Sequence, residues 1–207
     1  MLYAMGNMMT WRLKLPICKM RRPPSSGCAP QFPASTRRRL FAGRFEELQQ
    51  MVSLPLRFES WNPRVLEAVV RGYAGKPLVG PVDGRSESLS AVLPLARKYG
   101  CAVVGLTCDE SGVPATAEER VSIAGRIVDA AARAGIPRCD VVIDCMAPRR
   151  GAGEDEAATA LRAVALCKRE LGVRTTLGGS ESGAEASCRA LSDVAFLASA
   201  LEAGVDL

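Results

Sequence analysis

The sequence predicts an α/β fold in which short parallel strands are buried between helices. Short apolar runs alternate with amphipathic segments along residues 45–207, and the strand–helix units recur roughly every 25 to 35 residues. The run at 101–106 is apolar on both faces, as expected for a strand that is covered on both sides. An open doubly wound sheet and a closed (β/α)8 barrel both fit this pattern. No GxGxxG follows the first strand, so a dinucleotide-binding fold has no support.

Each element has its own local signals. Asn62 and Pro63 are typical of the N-cap and first turn of a helix, and Thr116 with Glu119 forms a capping-box pattern. Gly100 is typical of a helix C-terminus. We expect strands at 52–58, 77–80, 101–106, 141–143 and 173–177, with 204–207 as the start of a sixth. We expect helices at 45–51, 61–73, 86–99, 116–134, 154–171 and 187–203.

The first part of the chain differs in composition from the rest. Residues 1–45 contain nine Lys or Arg and no acid, whereas the remainder holds 18 basic and 22 acidic residues, a net charge of −4. The Pro- and Arg-rich head shows no sustained period. It fits a transit peptide, a basic interaction tail, or a disordered or non-native extension from a misread start. We therefore predict a head at 1–43 and a folded domain at 44–207.

Composition excludes several classes of function. The chain has no His, which removes Ser-His-Asp triads, Cys-His nucleophiles and His metal sites. The acidic body offers no basic stripe for nucleic acid, and no apolar run is long enough to cross a membrane. Eight Cys occur without a CxxC pair, which favours free, reduced thiols in a cytoplasmic protein without a bound metal.

Polar and small residues gather directly after the predicted strands. In a barrel the carboxyl ends of all strands lie on one rim, which is where active sites occur. The candidate rim segments are 59–60, 83–84, 107–109, 144 and 178–181. Any one of them would be ordinary loop chemistry, but five together indicate a functional rim.

Several motifs together resemble a known family. The segments are RFES at 57–60, PLVG at 77–80, PLARKYGCAVVGLTCDESGVP at 94–114, VVID at 141–144, TLGGS at 176–180 and FLASALEAGVD at 196–206. Over residues 44–207 the chain resembles the pterin-binding barrels, closest to methyltetrahydrofolate–corrinoid protein methyltransferases. The resemblance implies a TIM-type (β/α)8 barrel of which this chain holds strands 3–7 and the start of strand 8. It also implies that the head replaces two missing strand–helix units.

The resemblance implies a reaction as well. Members transfer a methyl group from methyltetrahydrofolate to a cobalt corrinoid that a partner protein carries, so tetrahydrofolate is substrate and the corrinoid comes with the partner. Dihydropteroate synthesis is the alternative enzyme, although the loop at 178–187 offers no cation for its pyrophosphate leaving group. An inactive truncated fragment or an accessory subunit stays open, and so does a homodimer.

The family's site residues match this chain only in part. Asp144 coincides with the pterin-binding Asp, and an Asp suits the guanidine-like edge of a pterin because it accepts two parallel donors. Glu59 stands where the family usually has Asp, and Gly80 where it usually has Asn. Asp83 either substitutes for that lost amide or simply begins an Asp-Gly turn.

The loop after the last predicted strand carries the remaining candidates. Glu181 takes the position of an Asn near the reactive nitrogen of the folate, with Ser180 beside it. A carboxyl there either supplies a proton to the leaving amine or marks a loss of function. The resemblance thus implies Asp144 and Glu181 as catalytic, and Glu59, Gly80, Asp83 and Ser180 as additional pterin contacts.

Overall fold

Five parallel strands lie side by side in chain order in the computed structural model, which describes residues 2–5, 8–11, 55–148, 154–178 and 190–206. The strands are β3 (Arg57–Glu59), β4 (Leu78–Val82), β5 (Ala102–Leu106), β6 (Val141–Asp144) and β7 (Arg174–Thr176). A separate antiparallel pair, β1 (Leu2–Met5) and β2 (Met8–Trp11), lies in the predicted head. Parallel neighbours that are consecutive in the chain are the arrangement that successive βα units of a barrel produce.

Helices connect the parallel strands. They are α1 (Pro63–Val70), α2 (Ser86–Tyr99), α3 (Ala117–Arg133), α4 (Glu154–Leu166) and α5 (Ala190–Glu202). A short 3-10 turn, Arg138–Asp140, precedes β6, and a π turn, Cys167–Leu171, continues α4. Among the described residues, none of these helices combines the length and the apolar character that a membrane crossing requires.

The predicted caps are confirmed. The Asn62 side chain accepts a hydrogen bond from the Arg64 N–H at 3.0 Å, and the Thr116 hydroxyl accepts from the Glu119 N–H at 3.3 Å. Gly100 closes α2 in the left-handed conformation with φ 66°. Helix α2 has the predicted bounds, with Gly100 ending it, although Arg85 at its N-cap makes no side-chain capping hydrogen bond.

One other predicted strand had wrong bounds, whereas the bounds predicted for the helix over 154–171 are confirmed. The strand expected at 52–58 is limited to Arg57–Glu59 within the described part of the chain. The helix expected over 154–171 changes to the wider π turn at Cys167, and Gly172 closes it with φ 59°. The helix expected at 45–51 lies outside the described residues.

One face of the sheet packs tightly on the helices. The strand residues Val79, Val103, Val141 and Ile143 have no exposed surface. Gly105 on this face has no room for a side chain, since a Cβ there would stand 2.8 Å from Cγ2 of Ile127 on α3. Each fully buried Val or Ile contributes about 1.5–3 kcal/mol, so this layer is the main source of stability.

The opposite face of the sheet is the one that would line a barrel. Alternation along the strands places Glu59, Gly80, Leu106 and Asp144 on it. Of its apolar members, Leu78, Ala102 and Leu106 are only half-buried, unlike the helix-facing layer. We call this surface the inner face.

The residues after α5 lie against the free edge of β7. The Asp206 N–H donates to the Thr175 carbonyl at 3.0 Å, and the Asp206 carboxylate accepts from the Thr175 N–H at 2.8 Å. Lys168 donates to the same carboxylate at 2.7 Å. This segment occupies the position predicted for the next strand, although residues 204–206 do not form a strand in the structure.

Candidate functional site

Strand register brings two of the candidate carboxylates to the same end of the inner face. Glu59 of β3 pairs with Gly80, and Asp144 of β6 pairs with Leu106 on one side and Thr176 on the other. Three strand spacings separate β3 from β6, which is about 14 Å in a flat sheet and less in a curved one. The two residues therefore lie at the same end of the inner face, which we call the rim.

Asp144 is held in place by the backbone around it. Asp144 is 2% exposed. Its Oδ1 accepts hydrogen bonds from the Met146 N–H at 2.9 Å and the Gly178 N–H at 3.0 Å. Its carbonyl oxygen accepts from both the N–H and the hydroxyl of Thr107, each at 3.1 Å. Two backbone donors on the same carboxylate oxygen fix the orientation of the side chain.

Gly178 makes this arrangement sterically feasible. A Cβ at position 178 would stand 2.1 Å from Oδ2 of Asp144, well inside van der Waals contact. The carboxylate therefore lies directly against the backbone at the end of β7. Only glycine permits so close an approach.

Glu59 is the most accessible of the candidates that the structure describes. Its side chain is 39% exposed and forms an ion pair with Arg57, two residues earlier on the same strand face. The Nε of Arg57 is buried and makes no hydrogen bond in the structure. The Arg57–Glu59 pair therefore places a partly solvated carboxylate at the rim, on the far side from Asp144.

Gly80 lies on the inner face against β5. A Cβ there would meet the Val104 carbonyl oxygen at 3.0 Å and the Val104 Cβ at 3.2 Å. The peptide bond from Gly80 to Pro81 is cis, and the register between β4 and β5 shifts between Val79 and Val82. The local packing is thus built around the absence of a side chain at this position.

The Asp83 side chain stabilises the turn that Asp83 itself begins. It is 2% exposed, its Oδ1 accepts from the Arg85 N–H at 3.1 Å, and its Oδ2 accepts from Arg85 Nε at 2.8 Å. The Asp83 N–H donates to the Ser88 hydroxyl at 3.1 Å, and Arg85 lies 5.8 Å from the ring of the exposed Trp61. Of the two predicted roles, the structure favours the Asp-Gly turn.

The loop after β5 adds further charge to the rim. Arg126 donates to the Asp109 carboxylate at 2.6 Å, and this hydrogen bond lowers the pKa of Asp109. Burial, with Asp83 adding to the effect, raises the pKa of the Cys108 thiol to about 11. Cys108 is therefore protonated at neutral pH and does not act as a nucleophile there.

Two predicted contacts are not placed by the structure. Ser180 and Glu181 lie outside the described residues, so their roles stay predictions. Within the described residues, no group of three or more His, Cys, Asp or Glu side chains is arranged to hold a metal ion.

Sequence reasoning missed Arg120. This arginine on α3 is 2% exposed and donates to the carbonyls of Pro114, Cys145 and Met146. A signal for it was present: position 120 falls three residues after buried Ala117 on the apolar stripe of α3. An arginine within such a stripe indicates a buried, hydrogen-bonded cation.

These features define a class of protein: a barrel-type α/β domain with a fixed, buried carboxylate at the carboxyl end of its parallel sheet. Comparison with known sequences identifies the family. Residues 32–207 match the family described as pterin binding enzyme, and the chain belongs to it. The match includes residues 32–43 of the predicted head, and the boundary at residue 44 stays a prediction.

Curated relatives are methyltransferase-type proteins. The chain is 31% identical over 180 residues to methionine synthase of Mycobacterium leprae, covering 80% of this chain and 14% of that protein. It is 29% identical over 99 residues to methylcorrinoid:tetrahydrofolate methyltransferase of Eubacterium limosum, covering 47% of this chain and 36% of that protein. The chain thus spans about one seventh of the length of the methionine synthases it matches.

Solved structures agree on the fold. Dihydropteroate synthase of Xanthomonas albilineans superposes with a TM-score of 0.58 at 22% identity, covering 89% of this chain and 69% of that one. Dihydropteroate synthase of Thermus thermophilus gives a TM-score of 0.60 at 24% identity, covering 84% and 72%. The described residues form part of a (β/α)8 barrel, and the predicted resemblance to pterin-binding barrels is confirmed.

Proposed function

We propose that this chain binds methyltetrahydrofolate and takes part in transfer of its methyl group to a corrinoid carried by a partner protein in the cytoplasm. The observation that carries the proposal is the Asp144 carboxylate, held at the rim by two backbone N–H donors. The names of the relatives in Mycobacterium leprae and Eubacterium limosum support the reaction class.

Asp144 supplies recognition in this proposal. The pterin ring presents an amide-like edge and an exocyclic amine, which donate in parallel to one carboxylate. Because Asp144 is already oriented by Met146 and Gly178, little ordering is required when the ligand arrives. Glu59, held by Arg57 across the rim, is the second proposed acid contact.

The methyl transfer itself needs a proton. The tetrahydrofolate amine is a poor leaving group, so N–C bond cleavage needs protonation of that nitrogen before or during attack by the corrinoid. We assign the proton to Glu181, with Ser180 beside it as a pterin contact. Asp83 is assigned to its turn and Arg85 instead, and Gly80 contributes backbone rather than an amide.

Calorimetric titration of the full chain with methyltetrahydrofolate tests the proposal. We expect Asp144→Asn to fold, because the amide oxygen still accepts from both N–H groups, yet to bind about 10- to 100-fold more weakly once the charge is gone. Asp140→Asn is the matched control, since Asp140 pairs with Lys76 just before β6 begins, at the opposite end of that strand. Equal affinity of Asp144→Asn and the unaltered chain would refute the role of Asp144.

A second assay separates the alternatives. Methyl transfer to a free cob(I)alamin in the presence of the chain supports the enzyme, whereas binding without transfer supports the accessory subunit. Condensation of a pterin pyrophosphate with p-aminobenzoate would favour dihydropteroate synthesis instead. Glu181→Gln should lower transfer without lowering binding to the same extent, since it removes a proton donor and keeps the shape.

A further inference from the structure

Arg120 joins two of the loops that form the rim. Its Nε donates to the Pro114 carbonyl at 3.0 Å, in the loop after β5. Its Nη1 donates to the carbonyls of Cys145 at 2.9 Å and Met146 at 3.0 Å, in the loop after β6. One rigid guanidinium therefore ties the β5 loop to the residues that directly follow Asp144.

Burying this cation is costly, which argues for a specific role. Arg120 is 2% exposed, and desolvation lowers the pKa of its guanidinium, while the charge of Glu156 opposes that effect. An apolar side chain on the stripe of α3 would avoid the desolvation penalty altogether. Hydrogen bonds to three backbone carbonyls offset that penalty, and all three carbonyls lie in rim loops.

Met146 connects Arg120 to Asp144. Its φ of 60° makes it the non-glycine residue with a left-handed backbone in the described chain. For a residue with a side chain this conformation is strained, and it persists only where the surroundings enforce it. Arg120 holds the Met146 carbonyl, and the Met146 N–H donates to Oδ1 of Asp144 at 2.9 Å.

We propose that Arg120 is a positioning residue for the pterin-binding carboxylate: it holds Met146 in the left-handed conformation from which the Met146 N–H orients Asp144. Arg120 does not contact the ligand in this proposal. The part that concerns pterin affinity rests on the proposed function, whereas the part that concerns the orientation of Asp144 stands on the structure.

Three variants of the full chain test the role of Arg120. Arg120→Lys keeps the charge but replaces the planar fork with a single nitrogen, which cannot serve Pro114 and the Cys145–Met146 carbonyls together. Met146→Gly removes the cost of the left-handed conformation, because glycine adopts it freely. The double variant combines both changes. It tests whether glycine, which adopts the left-handed conformation without help from Arg120, restores the orientation of Asp144 that Arg120→Lys loses. Arg162→Gln, which breaks an exposed ion pair with Glu118, is the matched control.

The first readout needs no ligand. Amide hydrogen exchange reports the Met146 and Gly178 N–H groups, both of which are bonded to Asp144 Oδ1. In Arg120→Lys we expect both amides to exchange at least about tenfold faster, while amides of β5 such as Val103 keep their protection. Unchanged protection at Met146 and Gly178 would overturn the proposal.

The second readout is the dissociation constant for methyltetrahydrofolate. We expect Arg120→Lys to weaken binding about tenfold or more, and the double variant to recover most of that loss, with Met146→Gly alone as the reference for the double variant. A purely structural Arg120 predicts no recovery in the double variant. If the unaltered chain binds no pterin, the proposed function fails, and the exchange data alone decide the positioning role.

Discussion

The carboxylate of Asp144 and the backbone of Gly178 are in direct contact, with the Gly178 N–H donating to Oδ1 at 3.0 Å. A Cβ at 178 would stand 2.1 Å from Oδ2, so Gly178→Ala must push the carboxylate away or shift the end of β7. We expect it to lower the free energy of unfolding by about 1–3 kcal/mol and to weaken methyltetrahydrofolate binding at least tenfold. Urea denaturation and calorimetric titration measure the two effects.

A second glycine provides the control for Gly178→Ala. Gly125 lies inside α3, and a Cβ there would only touch Leu171 Cδ2 at 3.9 Å, an ordinary contact. Gly125→Ala should therefore raise the free energy of unfolding by about 0.5–1 kcal/mol, since alanine favours the helix. Binding should not change. Similar losses in both variants would show that the Asp144 contact has no special importance.

The position of Asp144 was predictable, but its surroundings were not. A strand of three apolar residues that ends in Asp144 places the carboxylate at the carboxyl end of a buried strand, by local pattern alone. The partnership with Gly178 joins residues 34 positions apart. Such a contact depends on strand register and on side-chain rotamers, which a single sequence does not specify.

Arg120 and Asp83 both show that a sequence predicts where a side chain lies but not which groups it bonds. The helical period places Arg120 on the buried stripe of α3, yet it does not say which carbonyls the guanidinium reaches. Asp83 follows a strand, as a site carboxylate would. Only the structure shows that both of its oxygens accept hydrogen bonds from Arg85, one from the backbone N–H and one from Nε. Position along the chain predicts candidates, whereas hydrogen-bond partners determine which of them face a ligand.

Gly80→Asn tests whether the family's usual amide fits this chain. Any Cβ at position 80 meets the Val104 carbonyl oxygen at 3.0 Å, so β4 must move away from β5. We expect a loss of about 1–3 kcal/mol in the free energy of unfolding and no gain in methyltetrahydrofolate affinity. Gly80→Ala, which adds the Cβ without the amide, should be equally destabilised. Tighter binding by Gly80→Asn would contradict this account.

Asp83→Asn tests the assignment of Asp83 to its turn. Removing the charge weakens the contacts of Oδ2 with Nε and Nη2 of Arg85, while the Arg85 N–H keeps its acceptor Oδ1. We expect thermal or urea unfolding to show a loss of about 1–3 kcal/mol, and the methyltetrahydrofolate affinity to stay within about twofold. The control is Asp109→Asn, whose partner Arg126 is half exposed, so the expected loss is smaller than for Asp83→Asn. A tenfold loss of affinity in Asp83→Asn would contradict the turn assignment and indicate that this carboxylate contacts the ligand.

The thiols should differ sharply in reactivity with pH. Burial raises the pKa of Cys101 and of Cys108 to about 11, and the hydrogen bond with Cys167, together with burial, raises the pKa of Cys145. At pH 7 a thiol of pKa 11 is ionised in about one molecule in 10,000, and this fraction rises tenfold for each pH unit up to the pKa. Exposed Cys139 lacks that burial. Among the five thiols that the structure describes, iodoacetamide followed by peptide mass spectrometry should label Cys139 first at pH 7.

Raising the pH distinguishes the two reasons why a thiol escapes labelling, which are suppressed ionisation and lack of access to the reagent. Cys108 is only partly buried, so its labelling should rise about tenfold per unit between pH 7 and pH 9 as the thiolate forms. Cys145 and Cys167 are fully buried with their sulfurs 3.9 Å apart, so they should stay unlabelled until the chain unfolds. Cys139→Ser removes the fast-reacting site among the described thiols and should leave the labelling rates of Cys108, Cys145 and Cys167 unchanged. Labelling of Cys108 at the rate of Cys139 at pH 7 would show that the rim does not suppress its ionisation.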